Sequence, residues 1–217
     1  MALAKLKMDT TDARLSGAVV PDGAAWSNAV RADALSRVRQ MGLPTKRDEY
    51  WKYTDPASLT TADPAPAAMF ANDEGALFDA VDRVRIVFVD GVFDAAASDD
   101  LSAEGVEITR LADAMQTDIH WVKDLYGVLE ARGQTPVERP LAALNTALAT
   151  DGVVIRVTGK AAKPINFIYL HKDENSDAIL HNVVKIEAGA EVTLLETGPA
   201  AARVSGPVSY THLTLPT

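Results

Sequence analysis

The sequence predicts an α+β protein in which a largely helical, mixed first part is followed by an all-β second part. Three observations predict it. Apolar residues recur at helical spacing before residue 150. Beyond Gly152 the apolar period changes to two. Glycine and polar clusters then separate the apolar runs at the regular spacing of a sandwich, barrel or solenoid. The division falls near residue 151.

Residues 1–20 show no strong periodicity and are expected to be frayed or disordered. A helix follows in "PDGAAWSNAVRADALSRVRQMG", with Asp22 as its expected N-cap and Trp26, Val30, Ala34, Val38 and Met41 along one stripe. Arg31, Arg37 and Arg39 fall mostly off that stripe. Gly42 suits the left-handed position that ends a helix, and Pro44 blocks its continuation.

The stretch "SLTTADPAPAAMFANDEGA" carries Pro64, Pro66 and many small residues and reads as a loop. "RVRIVFVDGVF" reads as a strand, a tight Asp90–Gly91 turn and a short return strand. "GVEITRL" is a further short strand. Ile119, Val122, Leu125, Tyr126 and Leu129 predict one helix. Pro140 at a first-turn position, the Leu141, Leu144 and Leu148 face, and Gly152 at the end predict another. After Gly152, "VVIRV", "INFIYLH" and "HNVVKIEAGAEVTLLET" are strands, with Pro164 where a missing N–H is tolerated. The rhythm stops at "GPVSYTHLTLPT". Residues 209–217 read as a non-native tail, and the sequence as a truncated one whose last β layer is left open.

Composition narrows the function. Hydrophobic residues make up 47% and charged residues 24%, the profile of a folded protein. The net charge of −9 and the lack of a basic stripe argue against nucleic acid. With no cysteine, this sequence offers no disulfide, thiolate nucleophile or cysteine-ligated metal. No window approaches the roughly 18 apolar residues of a membrane helix, and the start lacks a signal-peptide pattern. A cytoplasmic location is expected.

Catalytic motifs fail one by one. "GVVIRVTGKA" has six residues between its glycines and an alanine after Lys160, so it is not a phosphate-binding loop. The dinucleotide fingerprint and the nucleophile elbow are absent. His120, His171, His181 and His212 are the histidines. His171 and His181 flank "KDENSDAIL" and could meet across strands near Glu187 or Glu191, but a cupin-like ligand spacing is missing. The Asp99–Asp100 pair and "KDENSD" read as solvated loops, and Glu187, Glu191 and Glu196 as water-facing. No catalytic, cofactor-binding or metal residue is therefore assigned.

One stretch stands apart. "GLPTKRDEYWKYTDP" places Tyr50, Trp51 and Tyr53 within a charged run just after a helix stop. Gly42, Leu43, Pro44, Thr45, Lys46, Arg47, Asp48, Glu49, Trp51, Lys52, Tyr53 and Thr54 carry a pattern that resembles the N-terminal signature of the SufB/SufD family of iron–sulfur cluster assembly proteins, nearer its SufD branch. "IVFVDGVF", "PLAALNTALATDGVVIRV", "KPINFIYLH" and "HNVVKIEAGAEVTLLE" follow in the family's order, so the resemblance covers most of residues 25–198.

The resemblance implies an N-terminal helical domain, a right-handed parallel β-helix and a C-terminal helical domain. On this sequence it implies an N-terminal mixed domain over 21–150 and the start of a truncated β-helix over 151–208. It implies a scaffold rather than an enzyme, paired with SufB and held by the SufC ATPase. The iron–sulfur cluster belongs to the assembled complex, with no cofactor in this part. In the family, the main partner contacts and an interface histidine lie C-terminal to this sequence, and no position here matches that histidine.

Gly42, Pro44, Arg47, Asp48, Glu49, Trp51, Lys52 and Tyr53 are the signature residues, structural or partner-contacting. The rings of Tyr50, Trp51 and Tyr53 are expected to fold back on the Trp26 and Val38 stripe, with Lys46, Arg47 and Lys52 left in water. A partner-docking patch is the alternative use of the same rings. Two readings from other classes compete with the scaffold: a β-helix or cupin-like metal-dependent enzyme using His171 and His181, and a free-standing adaptor for sulfur-transfer proteins.

Overall fold

The computed structural model describes residues 2–63, 66, 77–118, 120–198 and 213–214. Helices α1 (Ala2–Ser16), α2 (Ala25–Met41) and α3 (Ala57–Thr60) come first. Strands β1 (Val84–Val89), β2 (Val92–Phe93) and β3 (Val106–Arg110) follow, then α4 (Leu111–Ala114), α5 (Val128–Arg132) and α6 (Pro140–Leu148). The remaining strands are β4 (Val153–Val157), β5 (Ile165–Leu170), β6 (Val183–Ile186), β7 (Leu194–Thr197) and β8 (Leu213–Thr214).

The strands form two open four-stranded sheets, ordered β2-β1-β5-β7 and β3-β4-β6-β8. β2 and β3 pair antiparallel with their neighbours, whereas β1-β5-β7 and β4-β6-β8 are parallel. From β4 onward the chain alternates between the sheets and advances one strand at each return. The polar side chains follow the same step: Asn182 Oδ1 accepts from the Val153 N–H at 3.0 Å, and Asn166 Nδ2 donates to the Leu195 carbonyl at 3.2 Å, each across 29 residues. Both sheets draw strands from either side of residue 151.

Side-chain alternation builds three layers. Val153, Ile155 and Val157 of β4 face Ile86, Phe88, Ile165 and Phe167 in the core between the sheets. Val154 and Val183 point the other way, into a second core with Val38, Leu111, Tyr126, Leu144 and Leu148. β4 is thus covered on both faces. That is why its sequence is an unbroken apolar run apart from half-buried Arg156.

The α+β class, the β1–turn–β2 unit, β3, and the strands after Gly152 form as the sequence predicts. Other expectations differ. Residues 1–20 contain α1, held by tertiary ties: Thr11 Oγ1 accepts from the Leu43 N–H at 2.8 Å, and Arg14 Nη2 donates to Asp177 Oδ2 at 2.7 Å. Helix α2 starts at Ala25 with Ala24 at the cap position, not Asp22. The Ala24 N–H and the Ser27 hydroxyl both reach the Met115 carbonyl, so docking on the end of α4 sets that start. Asp22 Oδ1 instead accepts from Asn28 Nδ2 at 2.7 Å. The buried face of α2 is Ser27, Arg31, Ala34 and Val38, which brings Arg31 inside.

The helix expected through Val122 and Leu129 is broken; Ile119 lies outside the described residues. A 3-10 turn over Trp121–Asp124 precedes α5, and Gly127 between them has a φ of 74°. A Cβ there would sit 2.8 Å from Val30 Cγ1, so close packing on α2 demands glycine. Helix α6 begins with Pro140 as predicted but ends at Leu148, leaving Gly152 at the approach to β4. Of the expected 209–217 tail, only Leu213–Thr214 are described, paired parallel with β6.

Candidate functional site

The signature begins where α2 ends. The Gly42 N–H donates to the Val38 carbonyl at 2.8 Å, closing the last turn. Gly42 has φ 68° with ψ 148°, a positive φ outside the left-handed helical region, and a Cβ would meet Lys7 Cγ at 2.9 Å. Any side chain would therefore be strained and crowded. Leu43 and Pro44 are buried behind it, with the Leu43 N–H tied to Thr11.

Asp48 organises the next turn. Its Oδ2 accepts from the Thr45 N–H at 2.7 Å, its Oδ1 lies 3.5 Å from Lys7 Nζ, and its carbonyl accepts from the Trp51 N–H at 2.8 Å. A 3-10 turn, Glu49–Trp51, results. Glu49 pairs with Lys52 at 3.0 Å, and the Lys52 ammonium lies 4.9 Å from the Tyr53 ring centroid.

The three rings part company. Trp51 is half-buried against the helical core, as expected. Tyr50 and Tyr53 are 73% and 90% exposed, so they do not fold back on α2. The 3-10 turn ends at Trp51, so Tyr53 lies beyond it, and of the two rings within it only Trp51 packs on the core. Lys46 and Arg47 are exposed, and neither makes an ion pair among the described residues.

Helix α2, ahead of the signature, carries a buried polar group that sequence reasoning missed. Arg31, 2% exposed, donates from Nη1 to the Ala147 carbonyl at 3.0 Å, near the end of α6, and its guanidinium lies 5.9 Å from the Tyr126 ring centroid. Burial lowers its pKa from the ordinary arginine value. The Tyr126 hydroxyl donates to the Thr146 carbonyl at 2.8 Å, and burial pushes its pKa up to about 12. Glu130, with a fully buried carboxylate, is paired with Arg37. A buried polar stripe spaced i, i+4 through Ser27 and Arg31 was the available signal, but arginine ordinarily reads as surface.

The histidines do not converge. His181 is 0% exposed, with its ring 4.6 Å from Tyr126. His171 Nδ1 is 3.8 Å from Asp90 Oδ1. Burial opposes ionisation of Asp90, but the backbone N–H groups of Lys172 and Asp173 outweigh it and hold the carboxyl below its usual range. His120 Nδ1 accepts from the Val122 N–H at 3.2 Å as a turn cap, and burial lowers its pKa. His212 lies outside the described residues. Among the described residues no group of three or more His, Cys, Asp or Glu could hold a metal ion.

Glu187 pairs with Arg156 at 2.9 Å and Lys185 at 2.8 Å, and Glu191 with Lys160 at 3.2 Å, all at the surface. Glu196 is exposed, as expected; it takes the register position beside Phe167, and partial burial raises its pKa against a hydrogen bond from Tyr169. A groove of about 840 Å³ is lined by Arg83, Arg85, Lys163 and Asp99, among others. Its cations are already paired, to Asp79, Asp99 and Asp82. No helix of the described residues is long and apolar enough to cross a membrane.

The family model of the SufBD protein N-terminal region matches residues 18–166. The chain belongs to the SufBD family. The match takes in α2, the signature and the strands through β4. The chain is also 30% identical over 132 residues to the iron-sulfur cluster assembly protein SufD of Escherichia coli (strain K12), an alignment covering 54% of this chain and 31% of that relative. The alignment thus covers about a third of the relative's length.

Proposed function

We propose that this chain supplies the N-terminal region of a SufD-type scaffold for iron–sulfur cluster assembly. The observation that carries the reading is the SufBD family match over residues 18–166, whose signature turn is hydrogen-bonded at the end of α2 and leaves Tyr50 and Tyr53 exposed. It acts as structure rather than as an enzyme, and the nascent cluster is cargo of the assembled complex, not a cofactor of this region. SufB and the SufC ATPase are its partners, through contacts made mainly by parts of the scaffold beyond this chain, and the setting is the cytoplasm.

The strands from β4 onward are the opening coils of a parallel β-helix. Their alternation between two sheets and their 29-residue step support that reading. A solenoid of this kind offers a stiff surface for partner subunits, while the helical layer closes its first coil.

The test is a graft. Residues 18–166 replace the corresponding region of the Escherichia coli SufD relative, and the chimera is expressed with SufB and SufC. The reading predicts a chimera that copurifies with both and restores cluster assembly in a strain lacking the native subunit. A well-folded chimera that assembles with neither would overturn it.

A further inference from the structure

We infer that the signature turn is a docking surface for an acidic segment of a partner protein. The inference rests on the scaffold reading only in taking the partner to be a protein. It starts from the charges the turn leaves over. Asp48 is engaged by Lys7 and by the Thr45 N–H, Glu49 by Lys52, and Asp55 Oδ1 by the Ala57 N–H at 3.0 Å. Lys46 and Arg47 are left exposed and without an ion pair among the described residues. Tyr50 and Tyr53 stand beside them at 73% and 90% exposure.

Beyond the Lys52 contact on the Tyr53 ring, two exposed tyrosine rings add little to stability, whereas tyrosine and arginine are side chains that anchor interfaces. The turn beneath them is stiff, because Gly42, Leu43, Pro44 and Asp48 are fixed from behind by α1 and α2. A partner would therefore meet a preorganised surface and lose little ordering entropy in it.

Charge decides the class of partner. The whole chain carries a net charge of −9, which repels long polyanions such as nucleic acid and anionic membrane. A short acidic segment meets Lys46 and Arg47, whose two charges outweigh the one that Asp55 keeps, with the tyrosine rings as flanking contacts. Such a surface steers association more than it tightens it, so the complex is salt-sensitive.

The test titrates the intact chain with a fluorescein-labelled oligo-glutamate peptide at low salt and follows anisotropy. Binding is expected, weakened about tenfold on raising salt to about 0.15 M. The Lys46→Glu/Arg47→Glu variant should lose binding, and Tyr50→Ser/Tyr53→Ser should weaken it several-fold. Both variants should keep the wild-type urea midpoint, since all four side chains are exposed. Reversal of Lys172, an exposed cation elsewhere, should leave binding unchanged.

The inference fails if the peptide does not bind at about 1 mM, if the Lys172 variant loses binding equally, or if phosphatidylserine vesicles bind in place of the peptide. The peptide titration is independent of cluster assembly. A graft that works while the peptide is ignored removes the docking surface alone; a failed graft with peptide binding intact removes the scaffold reading alone.

Discussion

Three tyrosines within this chain meet opposite fates. Tyr126 is sealed between α2, α6 and the second sheet, with its hydroxyl satisfied by Thr146. Tyr50 and Tyr53 lie in water on a turn whose backbone is nonetheless firmly anchored. Both regions are ordered, so exposure here is not looseness. The sealed ring contributes stability; the displayed rings leave it nearly untouched and are available for contact. The two regions are joined by α2, whose inner face carries Arg31 to Tyr126 and whose end at Gly42 launches the signature.

The comparison breaks most visibly at the sealed ring. Tyr126→Ala should destabilise the chain by about 3–5 kcal/mol, the range for a fully buried aromatic, because it opens a cavity and strips a partner from Thr146. Urea denaturation of the intact chain measures it. A loss under about 1 kcal/mol would mean the helical layer does not close around this ring.

The same ring has a pH signature. Its folded pKa of about 12 lies above the ordinary value of 10.0. The folded state therefore holds this proton more tightly than the unfolded state does. The stability this provides is complete below pH 10.0 and is lost as pH rises toward about 12, by about 1.4 kcal/mol per pH unit. Tyr126→Phe should remove that part of the alkaline slope. An unchanged slope would assign the loss to other groups.

Trp51 sits between the extremes. Being half-buried, its replacement by alanine should cost about 1–2 kcal/mol, less than a fully buried ring. The midpoint should move while the peptide affinity of the signature changes little. At the smallest end, Tyr53→Ser should shift stability by no more than about 0.5 kcal/mol. A larger shift would show that this ring packs in solution.

Much of the fold was legible where local chemistry and tertiary demand agree. Pro140 marks the start of α6, Asp90–Gly91 turns β1 into β2, and the apolar runs after Gly152 become β4 to β7. The misses have tertiary causes. Helix α1 has no clear apolar stripe, and Thr11, Arg14 and Lys7 hold it through polar ties to distant residues. Gly127 interrupts a helical period because α2 comes too near for a Cβ.

The candidate site was legible as a motif but not as a surface. Spacing could not say which of Tyr50, Trp51 and Tyr53 would turn inward, since the 3-10 turn that decides it depends on Asp48 meeting Thr45 and Lys7. Nor could the sequence reveal Arg31 as an interior residue. A buried guanidinium becomes tolerable only once the Ala147 carbonyl and the Tyr126 ring face it.

The central claim is that the inner face of α2 seals a core while its C-terminal end displays an anchored turn. Hydrogen exchange on the intact chain, resolved by residue, tests it most directly. The account predicts the slowest exchange at β4 and the later turns of α6, clear protection of the Gly42 and Leu43 amides, and rapid exchange at Tyr50. Tyr50 exchanging as slowly as β4 would contradict it, because the signature would then be part of the sealed core rather than a surface held out for a partner.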